Sequence, residues 1–214
     1  MELKYDKNTY ASLEPIPVVV KCPGCGHRGT FDTIKDYRDQ KITGLKFPIT
    51  MGQRICPNPE CQCHIFFVYH KENNKFITYP HLRIDFDSKS IPTKIKECLE
   101  EAIGCESIGA YIASAMMVRR TLECLCEDRG AEGKYLINKI DNLRPKLTLS
   151  EELFQGLHNL RLLGNDAAHV EAKDYEEIGK EEVNIAIKVT KEILKACYQH
   201  KNLIEELDSL KKQE

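Results

Sequence analysis

The sequence predicts an α+β protein with two domains, a small antiparallel β domain over residues 1–90 and an all-α bundle over residues 91–214. Short β-branched runs separated by Pro, Gly and Asn turns fill the first part, and two cysteine pairs lie among those turns. After Pro92 the spacing of apolar residues changes to that of helices. A chain of 214 residues has room for one or two domains of ordinary size.

The β domain is predicted to consist of hairpins. The run from Ile16 to Cys22 is extended and β-branched, the sequence CPGCG then turns tightly, and an extended pattern resumes at Gly29. Further strands are predicted around residues 42–49, 62–69 and 76–79, and the polar loop KENNK joins the last two.

Five amphipathic helices are predicted in the second part. Pro92 suits the first turn of a helix, and apolar residues recur from Ile95 at helical spacing. Thr148 and Glu151 have the spacing of a capping box, which predicts the start of the fourth helix. The last four helices are predicted at residues 107–128, 132–143, 149–169 and from 180 nearly to the end.

The two cysteine pairs predict a zinc ribbon. Cys22 and Cys25 form C-x2-C, and Cys56 and Cys61 form C-x4-C, each pair within a turn rich in Pro and Gly or Asn. Two such turns supply the four thiolates of a tetrahedral zinc ion, so we expect one structural Zn²⁺ per chain. Catalytic zinc keeps an open coordination position, which four cysteines do not leave.

The fourth ligand has competitors. Cys63 or His64 could replace Cys61, and His27 lies just after the first pair. We prefer Cys61 because the sequence CPNPEC closes a complete turn, whereas Cys63 belongs to the strand that follows. The remaining cysteines have no such spacing and are expected to be buried free thiols: Cys98, Cys105, Cys124, Cys126 and Cys197.

The distribution of charge and the first residues of the chain limit the classes to which the protein can belong. The first 90 residues carry 13 Lys/Arg and 10 Asp/Glu, and the rest carry 18 and 23, so neither half is a broad basic surface. RNA would therefore need a local cleft. The start MELKYDKNTY has no apolar signal segment and no run is long enough to cross a membrane, so a cytoplasmic protein is expected.

The run RLLGNDAAH, from Arg161 to His169, places polar residues within a leucine-rich helical pattern. At about 100° per residue, His158, Arg161, Asn165 and His169 form a stripe beside the apolar face, where they would be half-buried. Half-buried polar groups need partners or a function. This run is the candidate functional site of the bundle.

This run resembles the R…GN…AH signature of the family called domain of unknown function 4145. That family is a relative of the HEPN (higher eukaryotes and prokaryotes nucleotide-binding) superfamily of helical domains. Many HEPN proteins are metal-independent ribonucleases, often toxins or antiviral effectors, in which two subunits form one composite site. The resemblance implies a prokaryotic defence- or toxin-type endoribonuclease that acts on RNA as a homodimer, with Arg161, Asn165 and His169 as catalytic residues. The sequence departs from the common form at Gly164, which stands where that form carries an arginine.

Three interpretations of the run remain open at this point. In the first, His169 transfers protons and Arg161 holds phosphate, although about 12 Å of helix separates them, so two copies would have to meet. In the second, the bundle binds RNA or a nucleotide without cleaving it. In the third, the protein is a non-enzymatic adaptor that dimerises and docks a protein or nucleic acid on its ribbon, with Arg161 paired to Glu123 and His169 semi-buried.

Overall fold

A computed structural model describes residues 10–43, 47–72, 74–82, 84–169, 171, 174, 175 and 177–210. The chain is α+β, as predicted, with antiparallel strands followed by helices. It forms two compact units, Met1–Arg83 and Ile84–Glu214. Ile84 and Phe86 pack against the core of the helices, so the start of the helical unit includes residues that we had placed in the β domain.

The amino-terminal unit contains two antiparallel sheets. Its strands are β1 (Tyr10–Leu13), β2 (Val19–Lys21), β3 (Arg28–Thr30), β4 (Asp32–Thr33), β5 (Asp39–Ile42), β6 (Ile49–Ile55), β7 (His64–His70) and β8 (Lys75–Tyr79). The larger sheet has the order β1-β5-β6-β7-β8, with β4 also paired to β6, and β2 pairs with β3 in the smaller one. The hairpins β2–β3 and β7–β8 are those that the sequence predicted.

One strand prediction was wrong. Instead of a strand from Ile42 to Ile49, the structure has β5 ending at Ile42 and β6 beginning at Ile49, while residues 44–46 lie outside the described part of the chain. The strand β6 pairs with β7 along its whole length, from Ile49 opposite His70 to Ile55 opposite His64. This long hairpin ends where the second cysteine pair begins.

A buried ion pair fixes the centre of the larger sheet. Arg54 and Asp39 are 1% and 0% exposed, and the guanidinium donates from Nη1 to Oδ1 at 2.8 Å and from Nη2 to Oδ2 at 2.6 Å. The Asp39 carboxylate also accepts from the amide of Ile16 at 2.7 Å. Removing one partner of such a pair typically costs about 3–5 kcal/mol, because the other charge stays buried without compensation.

Gly52→Ala should destabilise the amino-terminal unit by about 3 kcal/mol, because an added Cβ would overlap the ion pair and its surroundings. The new atom would lie 2.8 Å from Cε1 of Phe67 and even closer to Oδ1 of Asp39. Urea unfolding followed by circular dichroism would measure the change. Gly104→Ala is the matched control, since no atom lies within 4 Å of its added Cβ and the helix there gains stability. Equal stability of the two variants would contradict this account.

The carboxy-terminal unit is a helical bundle. Its helices are α1 (Thr93–Ser107), α2 (Tyr111–Asp128), α3 (Leu136–Leu143), α4 (Glu151–Ala168), α5 (Lys180–Tyr198) and α6 (His200–Ser209). The central helix α2 packs against α1, α4 and α5, and the apolar residues that recur at helical spacing form the shared core. No helix in the described ranges combines the length and the apolar character needed to cross a membrane.

Helices α2 and α3 start at Tyr111 and Leu136, each four residues later than predicted, and two further boundaries also differ. The fourth helix starts after Ser150, whose Oγ accepts from the amide of Leu153 at 3.4 Å, so the capping box predicted at Thr148 was wrong. The predicted carboxy-terminal helix is two helices, α5 and α6, with a break at Gln199. No Gly or Pro marks that break, so the apolar periodicity gave no signal for it.

Candidate functional site

The cysteine cluster is built by the ends of two hairpins. Cys22 and Cys25 lie in the turn between β2 and β3, which is closed by hydrogen bonds from the Cys22 amide to the His27 carbonyl at 2.7 Å and from Gly26 back to Cys22 at 3.0 Å. Cys56 and Cys61 lie in the turn between β6 and β7, which the amide of Cys61 closes by donating to the Asn58 carbonyl at 3.0 Å. Each turn therefore holds its two sulfurs on one side.

The four sulfurs meet at one point. Those of Cys22, Cys25, Cys56 and Cys61 all lie within 4.8 Å of one another. Sγ of Cys22 is 3.7 Å from that of Cys61, and Sγ of Cys25 is 3.7 Å from that of Cys56. A tetrahedral zinc ion with bonds of ~2.3 Å sets its sulfurs about 3.8 Å apart, so the cluster has the dimensions and the donor set of a metal site.

The surroundings of the cysteines shift their pKa values in different directions. Burial alone would raise the pKa of Cys22, but amide hydrogen bonds from Cys25 and Gly24, together with neighbouring thiols, lower this pKa to about 7. Burial raises the pKa of Cys56 to about 12. Four thiolates would therefore not coexist here at neutral pH without a cation, and a bound metal ion is what would hold all four deprotonated.

The three competing ligands lie outside this group. Cys63 directs its thiol towards the carbonyl of His64 at 3.7 Å, and its backbone carbonyl accepts from the amide of Cys56 at 2.9 Å. His64 is exposed at the start of β7, and His27 is exposed after the first turn. None of these three described residues contributes an atom to the cluster, which consists of the four cysteines that we preferred.

In the helical unit, α4 carries most of the predicted stripe. His158, Arg161 and Asn165 are half-buried on this helix, as the periodicity predicted. His158 is held by Asp141 of α3, with Nε2 3.3 Å from Oδ1, so it is engaged in helix packing. Arg161 and Asn165 are one turn apart on the same face of α4.

The adaptor interpretation assumed an ion pair between Arg161 and Glu123, and this pair is absent from the described part of the chain. Within the described part of the chain, Glu123 pairs with Arg119 on the same helix, with Nε 3.2 Å from Oε1. Nε of Arg161 is buried and has no hydrogen-bond partner in that part of the chain. The guanidinium of Arg119 reaches the backbone carbonyl of Arg161 at 3.5 Å, so the side chain of Arg119 lies against α4 beside this residue.

Gly164 makes this approach possible. A Cβ added to Gly164 would lie 2.4 Å from Cβ of Arg119 and 3.2 Å from its Cγ and Cδ. The stem of Arg119 therefore lies directly on the backbone of α4 at Gly164. An arginine at position 164, as in the common form of the motif, would force α2 and α4 apart.

His169 lies outside the helix. The helix α4 ends at Ala168, and His169 follows with extended backbone angles of −133° and 117°. Its amide donates to the Asn165 carbonyl at 3.0 Å, while its side chain is exposed. The prediction that His169 is half-buried on the helical stripe was therefore wrong, and so was its semi-buried role in the adaptor interpretation.

The chain after α4 folds back onto this helix. Oδ2 of Asp166 accepts from the amide of Tyr175 at 2.7 Å, and the Tyr175 hydroxyl donates to the carbonyl of Asn159 at 3.3 Å. Asp166 therefore has a structural role at this helix end. Asn165 forms no side-chain hydrogen bond within the described part of the chain, which leaves its amide free to contact a ligand.

Sequence reasoning missed Arg119. Two signals pointed to it: an acidic residue four positions later on the same helix, and a glycine within the apolar pattern of another helix, which is typical of close backbone approach. Neither signal states which helix packs on Gly164, because that is a contact between residues far apart in the chain.

These features define a protein with a cysteine cluster of metal-site geometry in an antiparallel β unit and a polar cluster on a helical unit. The chain belongs to the family described as Domain of unknown function (DUF4145), whose model matches residues 100–213, more than half of the sequence. The match lies within the helical unit and confirms the family that the motif predicted. No curated protein and no solved structure matches the chain.

Proposed function

We propose that this protein is a HEPN-like, metal-independent endoribonuclease of the prokaryotic defence or toxin type, which acts as a homodimer and carries one structural zinc ion per chain. The observation that carries the proposal is the position of Arg119 of α2, which lies against α4 at Gly164, beside Arg161. Arg161 has a buried nitrogen without a partner in the described residues, and Arg119 lies against its carbonyl. The partnerless nitrogen of Arg161, a second arginine against the same stretch of helix and the free amide of Asn165 suit a phosphate group.

Zinc is the proposed metal because the four donors are thiolates. The two sulfur separations of 3.7 Å match the edge of a tetrahedron around an ion with bonds of ~2.3 Å. Four protein ligands fill a tetrahedral zinc ion, so the role proposed for it is structural. Thiolate ligands also require a reducing compartment, and the cytoplasm is the proposed location.

In the proposed reaction, the 2′-oxygen of RNA attacks the adjacent phosphorus and the bond from phosphorus to the 5′-oxygen breaks. The products are a 2′,3′-cyclic phosphate and a 5′-hydroxyl. The imidazole of His169 accepts the proton of the 2′-hydroxyl, and the protonated imidazole of the second copy gives one to the 5′-oxygen. Arg161 stabilises the phosphate charge, and Asn165 orients the phosphate or the imidazole.

A second copy is required by the length of α4. Ala168 is seven positions after Arg161, about 10 Å along the helix axis, and the exposed His169 follows it. The apolar face of α6 supports self-association, since Leu203, Ile204 and Leu207 are 58% to 60% exposed. Leu210, directly after the helix, is 79% exposed. We propose that this face is covered in the homodimer.

The first test combines the oligomeric state with activity. Light scattering should give a dimer at tens of micromolar, and the dimer should cleave members of a panel of structured and single-stranded RNAs in EDTA. Products with 2′,3′-cyclic phosphate ends, identified by mass spectrometry, would support the reaction. A zinc-loaded dimer that leaves every RNA intact would count against the nuclease, and a monomer would count against the composite site.

The second candidate is a non-enzymatic adaptor in which the zinc ribbon docks a protein or nucleic acid and the helical unit dimerises. The observation that favours it is Gly164, because the arginine of the common nuclease motif has no room there. The apolar face of α6 serves this function equally well. A dimer that retains zinc and lacks nuclease activity on every RNA of the panel is the result expected for the adaptor.

A further inference from the structure

A second cationic site lies between α2 and the start of α3. The cavity has a volume of about 340 Å³ and is lined by Arg119, Glu123, Lys134, Tyr135, Leu136 and Lys139. Small-molecule sites typically begin at about 300 Å³, so the space suits a compact ligand. Arg119 also lies beside Arg161 in the proposed nuclease site, whereas the other five lining residues have no role there.

The charges around this cavity are unbalanced. Three cations and one carboxylate line it, and the carboxylate of Glu123 is already paired with Nε of Arg119 at 3.2 Å. Within the described ranges, Lys134 and Lys139 form no ion pair with any acidic residue, and Lys139 is half-buried. A half-buried lysine that forms no close ion pair favours the binding of an anion, because the more distant carboxylate of Glu127 neutralises it only in part.

The start of α3 adds to the positive potential. This eight-residue helix begins at Leu136, which lines the cavity, so the positive end of the helix dipole lies at the same end as the cations. The helical part of the chain is acidic, with 23 Asp/Glu against 18 Lys/Arg over residues 91–214. A local cationic cavity in an acidic unit suits a small anion better than a long polyanion, which the surroundings would repel.

We propose that this cavity binds the phosphate group of a small phosphomonoester. Lys139 and the outer nitrogens of Arg119 contact the phosphate oxygens, and Lys134 closes the site from solvent. The ring of Tyr135 is 60% exposed, with Nζ of Lys134 5.2 Å from its centroid. It offers a flat surface for a ring attached to the phosphate. This site shares Arg119 with the proposed nuclease site, but Lys134, Tyr135 and Lys139 belong to the cavity alone and its binding test requires no RNA cleavage.

Calorimetric titration of the full chain tests the proposal, in low-salt buffer without phosphate, with inorganic phosphate, ribose 5-phosphate and adenosine 5′-monophosphate as probes. At least one probe should bind, and Lys139→Glu should weaken it at least tenfold, as expected for loss of a charge-assisted contact. The matched control is Lys188→Glu, an exposed lysine on α5, which should leave the affinity within twofold. Lys134→Glu, at an exposed position, serves if Lys139→Glu does not fold.

The three probes distinguish the sources of the phosphate. Equal affinity for all three means that the phosphate alone is recognised, whereas tighter binding of the nucleotide that Tyr135→Ala removes means that the ligand carries a ring. Either result supports the site. The absence of binding by all three probes at millimolar concentration would overturn it. So would an equal loss of affinity in Lys139→Glu and Lys188→Glu, since that would indicate general charge attraction.

Discussion

Replacing Cys22 by serine should release the metal and unfold the amino-terminal unit. The buried apolar core of this unit, as far as the structure describes it, consists of seven residues, and two of them, Cys22 and Cys56, belong to the cluster. So small a core contributes little by itself, whereas a four-thiolate zinc ion can contribute on the order of 10 kcal/mol. Elemental analysis should find one zinc per chain in the wild type and less than a tenth of that in Cys22→Ser.

The matched control is Cys63→Ser, because the thiol of Cys63 lies beside the cluster but points to the carbonyl of His64. This variant should keep its zinc and melt within a few degrees of the wild type. Cys22→Ser should lose the strand signal in circular dichroism and keep the helical signal, since the helical core contains none of the four ligands. Zinc lost from Cys63→Ser but retained in Cys22→Ser would mean that the ligand set is wrong.

The cysteine cluster could be predicted from sequence because its geometry is local. Each turn places two sulfurs on one side within four to six residues, and only the meeting of the two turns needs the fold. The strand β6 was not predicted, because its pattern of burial depends on a residue of another strand. Its sequence ITMGQRI contains a glycine and an arginine at buried positions, so alternation fails unless Asp39 is known to neutralise Arg54.

In the helical unit, too, local features could be predicted from the sequence, whereas contacts between distant residues could not. Apolar periodicity predicted the helices, because each needs only its own spacing to define a buried face. The end of α4 was harder, since the pattern continues through His169 while the backbone leaves the helix at Ala168. Arg119 was missed because its role comes from contact with Gly164, 45 positions away in the printed sequence. The site depends on contacts of this kind, and they are difficult to recognise in a single sequence.

His169→Ala should lower the rate of RNA cleavage in EDTA about a hundredfold or more, if the proposed reaction is correct, because proton transfer by one side chain typically contributes ~10²–10⁴-fold. The same change should alter the free energy of unfolding by less than about 0.5 kcal/mol, because the side chain is exposed. Single-turnover cleavage and urea unfolding measure the two effects. Zinc content and dimerisation should be unchanged, since His169 contributes to neither the cluster nor α6.

The matched control for this variant is His158→Ala on the same helix, whose imidazole is held by Asp141. It should lose some stability and keep its cleavage rate, the reverse of His169→Ala. Arg161→Ala should act like His169→Ala on the rate, and Asn165→Ala should be milder, because an orienting group contributes less than a charge on the phosphate. If His169→Ala and His158→Ala cleave RNA equally fast, the exposed histidine does not transfer the proton, and the active dimer must use another base.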